Sequence, residues 1–261
     1  MRIALGIEYN GVHFSGWQRQ EGGERTVQEE VEKALSSVAD HEVKIICAGR
    51  TDTGVHAQEQ VVHFDTHASR NLHAWVLGTN TNLPPDVSIL WAVEVNEDFH
   101  ARFSATARSY RYVILSRQSR PALRYARVSW AHYSLDEQRM SDAAKYFIGK
   151  HDFTTFRAVA CQSKTPVRTI ESLRVARHGE YIVIDITANA FLHHMVRNIA
   201  GVLMEIGRGD KEPEWVQQLL QARDRTAGGV TAPAGGLYLM SVEYPGEFSL
   251  PAHIIVDPVL P

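Results

Sequence analysis

The chain has 261 residues, of which 44% are hydrophobic and 22% charged, with a formal net charge of -3. That is ordinary globular composition with room for one large domain or two smaller ones, and it argues against nucleic-acid binding by bulk charge. No apolar run approaches membrane-spanning length, and residues 1–5 lead into a strand pattern without a basic segment and apolar stretch, so the expectation is a cytoplasmic protein with no membrane partner. Cys47 and Cys161 are too few and too isolated for a disulfide framework or a cysteine-rich zinc site.

In chain order, residues 2–9 read as a strand, and Thr26 with Glu29 makes a capping box for a helix with Val27, Val31, Ala34, Leu35 and Val38 on its apolar face. Residues 43–48 and 60–64 are β-branched and apolar enough for strands, followed by a helix near 72–79, a turn at 82–86 and a strand at 87–93. A second run of the same kind begins with a strand at 109–114 and a helix capped by Ser134 and Glu137. Residues 168–176 and 181–188 pair around a His178-Gly179 turn, residues 192–206 form the best helix, 215–220 a short one, and 237–242 the last strand.

This order predicts an α+β fold of two ferredoxin-like β-α-β-β-α-β halves, joining antiparallel sheets edge to edge with helices on one face and an active-site cleft between the halves. The halves span 1–105 and 106–245, with a C-terminal tail at 246–261. The link near 96–106 is not Gly- or Ser-rich, which predicts a rigid pair.

Between the strands at 43–48 and 60–64 lies Gly49-Arg50-Thr51-Asp52-Thr53-Gly54-Val55-His56, with no other acidic residue from Val43 to Gln58. By itself Asp52 reads equally as a turn cap or as a carboxylate presented for reaction. The run resembles the active-site signature of the TruA-type pseudouridine synthases, which modify uridines in the tRNA anticodon arm. The resemblance extends to Gly11-Val12-His13-Phe14-Ser15-Gly16-Trp17-Gln18-Arg19-Gln20, Phe99-His100-Ala101-Arg102-Phe103-Ser104-Ala105, His193-His194-Met195-Val196-Arg197-Asn198 and Gly236-Leu237-Tyr238-Leu239, in the family's order along nearly the whole chain. Its one departure is Thr53, where Ala is common.

The resemblance implies an isomerase that flips a uridine from the tRNA anticodon stem-loop, at roughly positions 38 to 40, and converts it to pseudouridine as a homodimer with neither metal nor cofactor. Asp52 would be the nucleophile, acting at C6 of the base, at C1′ of the ribose or through a glycal. The resemblance pairs Arg197 with that carboxylate; from spacing alone Arg197 lies one step off the apolar stripe, where a buried ion pair and a solvated head are both open. Tyr110 would contact the target base, Leu237 pack on the uracil, and Arg50 hold a phosphate of the flipped nucleotide. Arg70, Phe99, His100, Arg102, Gln162 and Lys164 would grip the RNA further out.

Charge distribution supports an RNA partner. From Ala101 to Leu135 there is no acidic residue, while Arg102, Arg108, Arg111, Arg117, Arg120, Arg124 and Arg127 supply seven positive charges, and Arg157, Lys164 and Arg168 form a second zone. His13, His56, His63, His193 and His194 lack the paired spacing of a zinc site, and the Asp52 loop lacks the Gly-Lys-Ser/Thr end of a P-loop. Two other readings stay open: a non-catalytic RNA-binding module, and a glycoside or nucleoside hydrolase using Glu59 as a second carboxylate.

Overall fold

The structure, a computed structural model, describes residues 1–252, so the part of the expected tail from 253 on lies outside the described residues. The fold is α+β, and the described chain divides into two compact units, one formed by Met1–Thr106 with residues 238–252, the other by Ala107–Leu237.

The first unit holds β1 (Arg2–Tyr9), α1 (Val27–Ala39), β2 (Ile46–Cys47), β3 (His56–Asp65), α2 (Leu72–Asn82) and β4 (Val87–Val95). β1 is bonded antiparallel to β4 on one side and β3 on the other. A strand flanked on both sides tolerates little polarity, and Ile3, Ala4, Leu5 and Ile7 are all buried. On its far side β3 pairs antiparallel with β2, Ile46 opposite His63, which gives the order β4-β1-β3-β2. α1 packs against α2 and buries Val27, Val31, Ala34 and Leu35, each stabilising by roughly 1.5–3 kcal/mol for the larger side chains.

The second unit holds β5 (Ala107–Ser116), β6 (Ser129–Ala131), α3 (Glu137–Ala144), β7 (Gly149–Asp152), β8 (Val167–His178), β9 (Tyr181–Ala188), α4 (Met195–Arg208) and α5 (Trp215–Ala222). Its sheet runs β5-β9-β8-β7, antiparallel throughout, with β6 parallel to β5. α3 packs on α4 and β8. The last strand is β10 (Leu237–Glu243), whose Tyr238 and Leu239 pair in parallel with His56 and Ala57 of β3.

Three local expectations change. Thr26 stands at the N-cap of α1, but its side chain makes no capping bond and is fully buried, so no capping box forms. α3 is capped by Asp136, whose carboxylate accepts from the Gln138 and Arg139 N–H groups, and Ser134 lies outside it. α4 starts at Met195 and not Leu192, because His194 adopts φ +63°, a left-handed conformation that a helix cannot contain. Among the described residues no helix is long and apolar enough to cross a membrane.

Candidate active site

The loop from Gly49 to Val55 joins β2 to β3, and it is held at several points. Its start is fixed by Gln60, a fully buried amide in β3 that both donates to Gly49 O and accepts from Gly49 N–H. The Tyr9 hydroxyl and Thr51 Oγ1 share a buried hydrogen bond of 2.7 Å. The main chain closes the turn, Val55 N–H donating to Asp52 O at 3.1 Å. Asp52 is half-buried and Arg50 exposed on the same loop.

The Gly11–Gln20 motif supplies the other wall. Trp17 N–H donates to Thr51 O at 3.0 Å and Gly54 N–H to Phe14 O at 3.4 Å, so this segment lies along the Asp52 loop. Gly16 sits there at φ +92°, and a β-carbon on it would come within 2.9 Å of Thr51 O. Gly11 N–H donates to His56 Nδ1, which fixes the acceptor nitrogen of a buried imidazole stacked on Tyr238 at 4.6 Å. Loop and wall thus carry Asp52 on main-chain contacts that do not depend on its own side chain. Sequence gave these flanking residues no structural role; the one available signal was Gln60, a polar residue inside an apolar strand.

In the second unit, Tyr110 of β5 is buried, opposite Ile186 and edge-on to Phe191 at 5.0 Å. Tyr112 is wholly buried, with its hydroxyl donating to Pro233 O at 2.8 Å and its pKa raised by burial. Arg197, half-buried on α4, donates through Nε to Ala232 O at 2.9 Å, and Ala232 N–H returns a bond to Arg197 O at 3.1 Å. Leu237 is buried at the start of β10.

The outer residues separate. His100 and Arg102 lie in one turn, half-buried and exposed respectively. Phe99, expected against RNA, is instead 0% exposed and packs on His63, Tyr244 and Phe248, so it anchors that turn from inside. Arg70 is folded onto Val38 O and Ser69 O, while Gln162 and Lys164 are exposed. Burial lowers the pKa of His63 to about 4 and that of His100 below its usual value, and the Nδ1 of each accepts backbone N–H groups. The Cys47 thiol is pushed up to about 11 by burial, against the opposing pull of Arg50 and Arg102, both of which act on it.

The basic tract divides as well. Arg111 is buried and bound through two nitrogens to Asp185 across β5 and β9. Arg108 donates to Asn189 O and Arg117 pairs with Glu180. Arg168 is folded onto Thr165 O, Val167 O and Ser163 Oγ. Arg111 therefore stitches a sheet and is not a phosphate ligand; exposed positive charge stays at Arg102 and at Arg120, Arg124 and Arg127 of the loop after β5. Glu59, the candidate second carboxylate of a hydrolase, is buried in β3.

The family described as "tRNA pseudouridine synthase" matches residues 6–104 and 143–245. The chain is 57% identical over 261 residues to the "tRNA pseudouridine synthase A" of Vibrio atlanticus, covering 100% of this chain and 98% of the relative. It is 60% identical over 251 residues to that of Nitrosococcus oceani (96% of each) and 60% identical over 254 residues to that of Pseudomonas aeruginosa (97% and 89%).

Proposed function

Because the chain belongs to the tRNA pseudouridine synthase family, we propose that it isomerises uridine to pseudouridine in the tRNA anticodon stem-loop, at positions 38 to 40, with Asp52 as the nucleophile. The observation that carries the assignment of the carboxylate is the loop around Asp52, pinned by Gln60, Tyr9 and the Gly11–Trp17 segment. A reactive group on so fixed a backbone meets its target in one geometry, which favours covalent attack.

The reaction needs no redox change. The C1′–N1 bond breaks, the base turns, C1′ bonds to C5, and the proton displaced from C5 is balanced by one gained at N1. Asp52 attacks and its bond to the substrate breaks again before the product leaves, which restores the carboxylate; Tyr110 faces the base and offers its hydroxyl for the proton moves, and Arg197 aims the carboxylate. Arg50, exposed beside Asp52, meets a phosphate of the flipped nucleotide, and Leu237 packs on the uracil. His100, Arg102, Gln162, Lys164 and Arg70 hold RNA outside the pocket, and the enzyme works as a cytoplasmic homodimer without metal or cofactor.

The finer fold belongs to the same reading. The first unit is ferredoxin-like, supported by its β-α-β-β-α-β order and its strand order β4-β1-β3-β2. The second unit follows the same order through β5, α3, β8, β9 and α4.

The test is the product. Unmodified tRNA transcript incubated with enzyme and chelator, then digested to nucleosides, should yield pseudouridine at positions 38 to 40 and no free uracil. Release of uracil would mark a hydrolase, and salt-sensitive binding without product would mark a binding module.

A further inference from the structure

Two side chains on one face of α1 take the place of a neighbouring strand. Val43 N–H donates to Ser36 Oγ at 2.9 Å, and Ile45 N–H donates to Glu32 Oε1 at 3.2 Å. Glu32 and Ser36 lie one helical turn apart, where side chains share a face, and residues 43 and 45 present alternate N–H groups to it. The strand expected over 43–48 is reduced to Ile46–Cys47, since two of its N–H groups are bonded to the helix.

The same Glu32 oxygen has a second donor. Gln28 Nε2 donates to it at 3.0 Å, and Gln28 Oε1 accepts from Arg19 N–H at 3.1 Å. At the start of α1, Gln28 N–H and Val27 N–H donate to Trp17 O and Gly16 O at 3.0 and 3.3 Å. Glu32 thus joins two segments that carry the Asp52 loop. One is the Gly11–Gln20 wall, which reaches Thr51 O through Trp17 N–H; the other enters the loop at Gly49, four residues after Ile45.

Glu32 is 5% exposed, with Arg19 Nη1 and Lys44 Nζ each 3.9 Å from its Oε2. At that distance the cations offset a buried charge without fixing its geometry, which the shorter bonds on Oε1 do. A helix that needed only an apolar face would carry leucine there, because a buried carboxylate is costly. We propose that Glu32 is a positioning residue of the isomerisation, a strut whose Oε1 sets the distance between the wall and the strand leading into the Asp52 loop. It acts through the backbone of that loop, so its loss shows in the chemical step and not in tRNA affinity. The proposal rests on the reading of Asp52 as the nucleophile.

The test compares Glu32→Gln, Glu32→Leu and Gln28→Met with wild type. Three quantities are measured: the single-turnover rate of pseudouridine formation at saturating enzyme, the Kd for unmodified tRNA transcript, and the urea midpoint, which keeps each assay inside the folded range. The Gln amide keeps an acceptor oxygen for both donors and should stay within about threefold of the wild-type rate. Leu leaves Ile45 N–H and Gln28 Nε2 without Oε1 and should lose about tenfold or more at unchanged Kd. Gln28→Met cuts only the branch to the wall at a half-buried site, keeps the main-chain bonds of α1, and should lose about threefold at unchanged Kd. A wild-type rate in Glu32→Leu or in Gln28→Met would overturn the strut, even if the urea midpoint fell. Glu32→Gln as slow as Glu32→Leu, or rate and affinity falling together, would overturn it too. If Glu32→Leu does not fold, the other two variants decide. No pseudouridine from wild type would fail the functional reading and the strut with it, whereas wild-type turnover matched by the variants fails the strut alone.

Discussion

Gly201, inside α4, is where a single methyl group should cost the protein most for its size. A β-carbon there would lie 1.9 Å from Val230 O, a main-chain atom that cannot rotate away. Relieving the contact to an allowed 3.0 Å moves the segment 230–232 by about 1.1 Å, and Ala232 on that segment is tied to Arg197 by bonds of 2.9 and 3.1 Å. Overpacking costs about 1–3 kcal/mol and losing a bond from a charged donor about 1.5–3 kcal/mol, while Ala regains about 1 kcal/mol of helix propensity. Gly201→Ala should therefore lower unfolding stability in urea by about 1.5–5 kcal/mol and lower kcat through Arg197. Gly207→Ala on the same helix is the comparison: its β-carbon meets buried side chains, Met140 at 2.7 Å and Leu135 at 3.2 Å, and no main-chain atom, so its cost should be smaller, about 1–2 kcal/mol. Equal stability of the two variants would refute the argument from backbone approach.

Gly16→Ala places a β-carbon against Thr51 O at φ +92° and should cut kcat roughly tenfold or more by displacing the Asp52 loop, with tRNA binding kept; unchanged kcat would remove the wall from the site. Arg197→Lys should lose at least about tenfold in rate, because an ammonium cannot reproduce the guanidinium's fixed fork; a wild-type rate would dismiss Arg197. His63, lowered to about 4 by burial, stays neutral in the folded chain while the unfolded chain takes up a proton near 6.5. Its contribution, roughly 3 kcal/mol, is complete above about pH 6.5 and is lost as pH falls toward 4, whereas the lowered carboxylates of Asp65 and Asp86 lose theirs only below about 4. Urea midpoints of wild type should fall across that upper window and those of His63→Gln should fall less, keeping only the smaller loss that the lowered His100 contributes; parallel curves would contradict the assignment.

Periodic segments were legible in the sequence and their ends were not. The strands at Arg2–Tyr9 and Tyr181–Ala188 stand where alternation and β-branching put them. β6 and β7 leave no mark in the sequence, because three or four residues carry no period. The start of α4 is not legible, since apolar spacing continues through Leu192 and only the backbone at His194 interrupts the helix. In the site, Asp52 stood out as a lone carboxylate between glycines, but the wall from Gly11 to Trp17 acts through main-chain atoms that residue identity does not reveal. The motif at 99–105 offered two phenylalanines and no means of telling which faces inward; packing against His63, Tyr244 and Phe248 decides it for Phe99.

The central claim, that Asp52 is the nucleophile of a tRNA pseudouridine synthase, is tested most directly by Asp52→Asn. Pseudouridine formation on unmodified tRNA transcript should fall below detection while the Kd for tRNA stays within a few-fold of wild type, because the amide keeps the loop's shape and removes only the attacking charge. Turnover at the wild-type rate by Asp52→Asn would contradict the account.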